Sequence, residues 1–229
     1  MSASELEFKS QIELDSLFNV FGKFYDVKIG NHTFKCRSQA IIEREGTNQN
    51  QYDALFVLMN PGSCEPVSEV AVPSIHSESE IMNLNPTPAK CDPTQYQIMR
   101  LMELRGWNKT VIINLSDLRS GNADKFYLDL LRADDYAFRF HSIFSDLRKS
   151  EREKVIEDCM GPIILGWGVK NKIKHLAFEA LSKLFPYTYF GIKKQDEGCL
   201  YYHPNPQIFN DKKIWLHTMN LILSENQKE

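Results

Sequence analysis

The sequence predicts an α/β fold: three α/β/α layers around a central, mostly parallel four-stranded sheet, with an N-terminal β-hairpin added. Three observations predict it. Short apolar runs recur at 54–59, 110–115, 161–168 and 187–192, each with the length and composition of a strand covered on both faces. Stretches with helical spacing of apolar residues separate them, as right-handed crossovers between parallel strands require. The runs end in polar or Gly- and Pro-bearing turns, which would put several strand ends along one edge of the sheet, where open α/β sheets bind ligands.

Taken in order, residues 4–24 carry Ile12, Leu14, Leu17, Phe18, Val20, Phe21 and Phe24 and are read as a short peripheral helix. Tyr25–Ile29 and Thr33–Arg37 flank Gly30-Asn31-His32 and read as a hairpin, which 40–44 extends. Residues 1–52 thus form an N-terminal extension of one domain that spans 1–229. The first buried strand, Ala54 to Met59, stops at Asn60-Pro61-Gly62-Ser63. Residues 64–91 follow as an insert with Pro66, Pro73, Pro86 and Pro88, placed where a lid over a site would start. Asp92-Pro93-Thr94 opens a helix, with Asp92 as N-cap and Pro93 at the first helical position. Ile98, Met99, Leu101, Met102 and Leu104 form its buried stripe, and Gly106 ends it. A second strand runs to Asn114 and Leu115 and exits through Ser116-Asp117-Leu118-Arg119. Residues 124–154 read as helical. The third strand ends in Gly166-Trp167-Gly168, a helix spans 172–184, and the fourth strand is 187–192. His203-Pro204-Asn205-Pro206 then precedes a last helix over 212–223.

Apolar residues make up 42% and charged residues 25%, the balance of a globular chain, and no run is long enough to cross a bilayer. The start, Met1 to Glu7, has neither the basic nor the apolar block of a signal peptide, so a cytoplasmic monomer is expected. Five widely spaced cysteines without a Cys-x-x-Cys pair read as reduced thiols, with no metal site and no cofactor expected. A net charge of −3 excludes generic polyanion binding. Any nucleic acid must meet a local basic surface, and the best footprint is Lys170, Lys172, Lys174, His175, Lys183, Lys193 and Lys194.

Leu58-Met59-Asn60-Pro61-Gly62 resembles the first motif of the uracil-DNA glycosylase superfamily, and His203-Pro204-Asn205-Pro206 resembles its His-Pro-Ser-Pro motif, with Asn205 in place of the usual Ser. Between them Ile112-Ile113-Asn114 is similar to the strand whose terminal Asn reads a flipped pyrimidine. About two-thirds of the chain is also similar to a bacterial and phage protein family, through 58–63, 92–94, 111–119, the Gly166-Trp167-Gly168 turn and the His-Pro after Tyr202. The resemblance implies a DNA glycosylase acting on uracil or a modified base, with DNA as partner. On this reading Asn60, His203 and Asp117 are catalytic. Met59, Pro61, Gly62, Ser63, Asp92, Asn114, Trp167 and Asn205 bind substrate, and Phe209 is a candidate wedge for the vacated base stack.

The chemistry agrees with those residue types. Cleaving an N-glycosidic bond develops positive charge on the sugar and negative charge on the departing base. Asn60 could hold the attacking water, with Asp92 or Asp117 as the nearby carboxylate that an amide cannot replace as a base. His203 could donate to a base carbonyl, and Asn114 could pair with an extruded base edge through both a donor and an acceptor. Tyr96, Trp107 or Trp167 could stack. Ordinary roles remain open for each: Asn60 as a turn residue, Asn114 as a cap, His203 as a donor to a loop carbonyl, Trp167 as packing, the lysines as a solvated face. Binding of nucleotides or nucleic acid without catalysis, and hydrolysis of free nucleosides or nucleotides, are the alternatives.

Overall fold

β1 (Phe18–Ile29) and β2 (His32–Arg44) pair antiparallel along their whole length about a Gly30-Asn31 turn. Gly30 sits at φ 59°, the left-handed conformation such two-residue turns demand. The computed structural model describes residues 7–68 and 71–226. The helix expected over 4–24 is reduced to α1 (Gln11–Asp15), capped by Ser10, and residues 4–6 lie outside the described residues. From Phe18 onward a period of two prevails: Phe18, Val20 and Phe24 face one buried cluster, while Tyr25 and Val27 face the other after a bulge at Lys23/Phe24. Aromatic and β-branched residues favour that pleated arrangement over a helix.

The remaining strands are β3 (Ala54–Leu58), β4 (Thr87–Pro88), β5 (Lys109–Asn114), β6 (Ile163–Leu165) and β7 (Tyr189–Phe190). Among the described residues, all seven strands form one mixed sheet in the order β4-β1-β2-β5-β3-β6-β7. The expectation of a four-stranded, mostly parallel sheet with an appended hairpin is therefore corrected. β5, β3, β6 and β7 do pair parallel, but β2 joins them by antiparallel pairing of Ala40–Glu43 with Lys109–Ile112. The physical reason lies in Ala40-Ile41-Ile42, apolar on both faces and buried, which suits an interior strand and not an extension.

Helices cover both faces. α1, α2 (Pro93–Arg105) and α6 (Phe209–Glu225) pack Leu14, Ile98, Met102, Trp215 and Met219 against Phe56, Ile112 and Ile164. On the other face α3 (Ala123–Asp135), α4 (Lys149–Glu157) and α5 (Lys174–Leu184) pack Phe126, Val155 and Ala180 against Leu55, Val57, Val111 and Ile113. The helical reading of 124–154 breaks after Asp135, where Ala137 adopts φ 51° and two short 3-10 turns intervene.

The described residues of the insert carry structure of their own. Its 3-10 turn Glu78–Asn83 and β4 lie along the hairpin edge: Thr87 and Pro88 pair with Gly22 and Phe21, and Ile75 and Ile81 are buried. Pro88 ends up on an outermost strand, where a missing N–H costs nothing. The chain passes from β3 through α2 to β5 on one side of β3, then returns to β6 on its other side. This reversal puts a crevice at the carboxyl end of β3.

Candidate functional site

That crevice is a cleft of about 340 Å³, lined by Leu58 to Ser63, Asp92 to Gln95, Arg37, Ile112, Ser120, Gly121, Ala123, His203 and Asn205. Each wall has a local cause. Five buried apolar residues hold β3 straight, and Asn60-Pro61-Gly62 then turns the chain out, with Gly62 at φ 64°. A Cβ on Gly62 would stand 3.3 Å from Asp92 Oδ2, so the glycine also lets the carboxylate close on the turn. The Asn60 side-chain Nδ2 donates to the Ser120 carbonyl at 2.8 Å and to that of Leu118 at 3.4 Å, tying the β3 exit to the loop after β5. With the nitrogen engaged, the amide oxygen is the group left to accept from a water or ligand.

Asp92 caps α2: Oδ1 accepts from Thr94 N at 2.8 Å and Gln95 N at 3.0 Å, while Gln95 Oε1 accepts from Asp92 N at 2.7 Å. One carboxylate oxygen is thus spent on the helix, and Oδ2 faces the Gly62 turn. Opposite stands His203. Its Nδ1 accepts from Asn205 N at 3.2 Å, which leaves the proton of the neutral ring on Nε2. Burial lowers the His203 pKa below its ordinary value, opposed by that hydrogen bond and by Asp92, so the neutral donor form is favoured. Pro204 packs on the end of β6, where a Cβ on Gly166 would come within 2.9 Å of it.

No protein-family model and no curated protein matches the chain. Among solved structures, a fungal esterase from Rhizomucor miehei is 13% identical over 72% of this chain, with a TM-score of 0.22. This chain spans half the length of that structure, and so low a likeness carries no argument about fold or reaction.

Of the residues singled out in the sequence, Met59, Asn60, Pro61, Gly62, Ser63, Asp92, His203 and Asn205 share the cleft. Three do not line it. Asn114, fully buried at the end of β5, lies behind Arg37, and its Oδ1 accepts from Arg37 Nη2 at 3.1 Å. Trp167 is a packing residue: its indole donates to the Cys199 carbonyl at 2.9 Å and its ring meets Tyr201 edge-on. Asp117 belongs to the opposite face, where Oδ2 accepts from Tyr25 Oη at 2.8 Å and from Arg148 Nη1 at 2.5 Å. Arg148 also grips Glu151 through Nε and Nη2, at 2.8 and 2.9 Å. Full burial pushes the Asp117 carboxyl up to about 7 against the pull of Arg148. Its role as a catalytic residue is corrected to a structural one.

The expected stacking aromatics are also elsewhere. Tyr96 hydrogen-bonds Asp15 and Trp107 packs on Phe56; among the described residues no Phe, Tyr or Trp lines the cleft. Of the basic group, Lys174 and Lys194 pair with Glu197 and Lys183 with Asp146, so much of that charge is neutralised locally. The sequence reading missed Arg37, Thr94, Gln95, Ser120 and Gly121. For Arg37 there was a signal: Arg37-Ser38-Gln39 is a polar run leading straight into apolar 40–42, and all three are buried.

Proposed function

We propose that this protein hydrolyses the N-glycosidic bond of uracil or a modified base in DNA. The single observation that carries the reading is that Asn60 and His203, distant in sequence, face one cleft with the free carboxylate oxygen of Asp92. A cleft of about 340 Å³ falls within the range of small-ligand sites. Water held by the Asn60 amide oxygen attacks the anomeric carbon, its proton passing to Asp92. The C–N bonding pair leaves with the base, whose carbonyl oxygen gathers charge against the Nε2–H of His203. His203 need not give up its proton; a neutral donor aimed at developing charge is sufficient. Beyond His203, Ile208 and Phe209 are 64% and 59% exposed. Two adjacent exposed apolar side chains a few residues after the cleft's His-Pro loop, Phe209 resting edge-on against Phe8, suit a wedge entering the stack a base has left.

Among the described residues no Phe, Tyr or Trp ring lines the cleft, and this favours a second reading, in which the cleft binds a nucleotide without hydrolysis. Single- and double-stranded oligonucleotides carrying uracil or modified bases, treated with alkali after incubation, decide between the two. Strand cleavage that drops about 10²–10³-fold in Asn60→Ala and His203→Ala supports hydrolysis. Saturable, salt-sensitive binding with every base left in place selects the second reading, and failure to bind or cleave any of them rejects both.

A further inference from the structure

Arg37 is 2% exposed and lines the cleft, yet among the described residues it forms no ion pair. Its one side-chain hydrogen bond, from Nη2 to Asn114 Oδ1, is 3.1 Å long; Nε and Nη1 are buried without an acceptor. Asn114 Nδ2 is likewise buried without a partner. A guanidinium can only donate, and a buried cation is costly until an anion or acceptor meets it. Asn114, behind Arg37, orients the guanidinium through its side-chain oxygen. At this wall of the cleft Arg37 therefore offers donors and positive charge. Arg119, on the loop after β5, lies within electrostatic range and adds positive charge, while Asp92 holds the negative charge at the α2 cap.

We infer that the ligand carries an oxyanion, a carboxylate on the base or a nucleotide phosphate, that docks on Arg37 in the wall of the cleft. This deepens the glycosidic-bond reading, on whose cleft it rests, by naming the substrate class. Plain uracil fits poorly. Its pairing edge places an N–H between two carbonyls, and a guanidinium, which can only donate, offers that N–H no acceptor. A planar guanidinium holds a carboxylate or phosphate through paired N–H bonds and rejects a donor edge.

Calorimetric titration of the full chain with 5-carboxyuracil, uracil, dUMP and inorganic phosphate tests it. At least one oxyanion probe is expected to bind ten times or more tighter than uracil, with the advantage falling below twofold in Arg37→Met. An advantage confined to 5-carboxyuracil assigns the oxyanion to the base; one confined to dUMP and phosphate assigns it to the nucleotide. Ligand-free Arg37→Met is expected to melt no lower than the parent, since it removes an unpaired buried charge. Should that variant not fold, Arg37→Lys, which keeps the charge and loses the planar fork, is expected to lose most of the preference. The inference is overturned if no oxyanion outbinds uracil, or if the preference survives in Arg37→Met or in Arg37→Lys. Base release is not read in these titrations. An Arg37-dependent preference in a protein that releases no base leaves this inference standing and rejects the hydrolase reading; base release without the preference does the reverse.

Discussion

The imidazole of His203 reaches the cleft with its tautomer already chosen, because Nδ1 is occupied by Asn205 N. The hydrogen bond fixes Nε2–H as the donor, and burial, the largest influence on the ring, depresses its pKa. A histidine whose folded pKa lies below its ordinary 6.5 remains neutral at pH values where a free histidine is half charged. Titration of the His203 ring followed by NMR is therefore expected to give a midpoint below 6.5; a midpoint above it would mean that a charged ring faces the cleft. The two candidate carboxylates part at this scale. Pro93 and Thr94 mark Asp92 locally as a helix N-cap, whereas nothing beside Asp117 shows which face of the sheet it takes. What separates them is a contact with Arg148, remote in sequence, which draws Asp117 to the opposite face. Arg148→Met, leaving the Asp117 carboxylate buried without its cation, is expected to cost about 3–5 kcal/mol in denaturant unfolding.

Among the elements, α2 shows how one residue serves structure and chemistry together. Asp92 Oδ1 satisfies two N–H groups of the first turn, and Oδ2 is free for the cleft. The two roles separate by substitution, because Asn is as good an N-cap as Asp but is no base. Asp92→Asn is expected to unfold within about 0.5 kcal/mol of the parent while losing base release; Asp92→Ala is expected to lose both, with about 1 kcal/mol of stability. Base release surviving in Asp92→Asn would remove Asp92 from the mechanism. This helix was legible in full, since Asp92, Pro93, the 98–102 stripe and Gly106 are local signals read in place. The hairpin turn was legible for the same reason. Its partner β5 was not, because antiparallel pairing of 40–43 with 109–112 is a contact between distant segments. Hence Arg37 falls in the expected N-terminal extension, although β2 carries it into the interior of the sheet and to the cleft wall. The insert misled in the opposite sense. Its prolines and weak periodicity suggest a free loop, but buried Ile75 and Ile81 anchor it along the hairpin edge, and none of its described residues lines the cleft.

At the scale of the whole molecule, the buried polar cluster behind the cleft gives the fold a response to pH that no single residue shows. His141 is 5% exposed, its Nδ1 lies 2.9 Å from Ser116 Oγ, and burial pulls its pKa from 6.5 down to about 4. The folded protein thus keeps His141 neutral while the unfolded chain protonates it. Its contribution to stability is present above pH 6.5 and is lost as pH falls from there toward 4, at about 1.4 kcal/mol per pH unit. Asp117, whose backbone N–H donates to the His141 carbonyl, works the other way: raised from 3.8 to about 7, its contribution is full below pH 3.8 and is lost as pH rises through 7. Between about pH 4 and 6.5 the two slopes oppose, and the fold is expected to show a flat stability profile there. Replacing either member uncovers the other. In His141→Gln, denaturant midpoints are expected to fall as pH rises across that window; in Asp117→Asn they are expected to fall as pH drops across it. Parallel profiles for the parent and both variants would show that neither group titrates differently on folding. Residues that set such a balance are apolar in none of their atoms that matter, so hydrophobic periodicity cannot reveal them; only the convergence of β1, β5, α4 and the 139–148 segment makes Tyr25, Asp117, His141 and Arg148 neighbours.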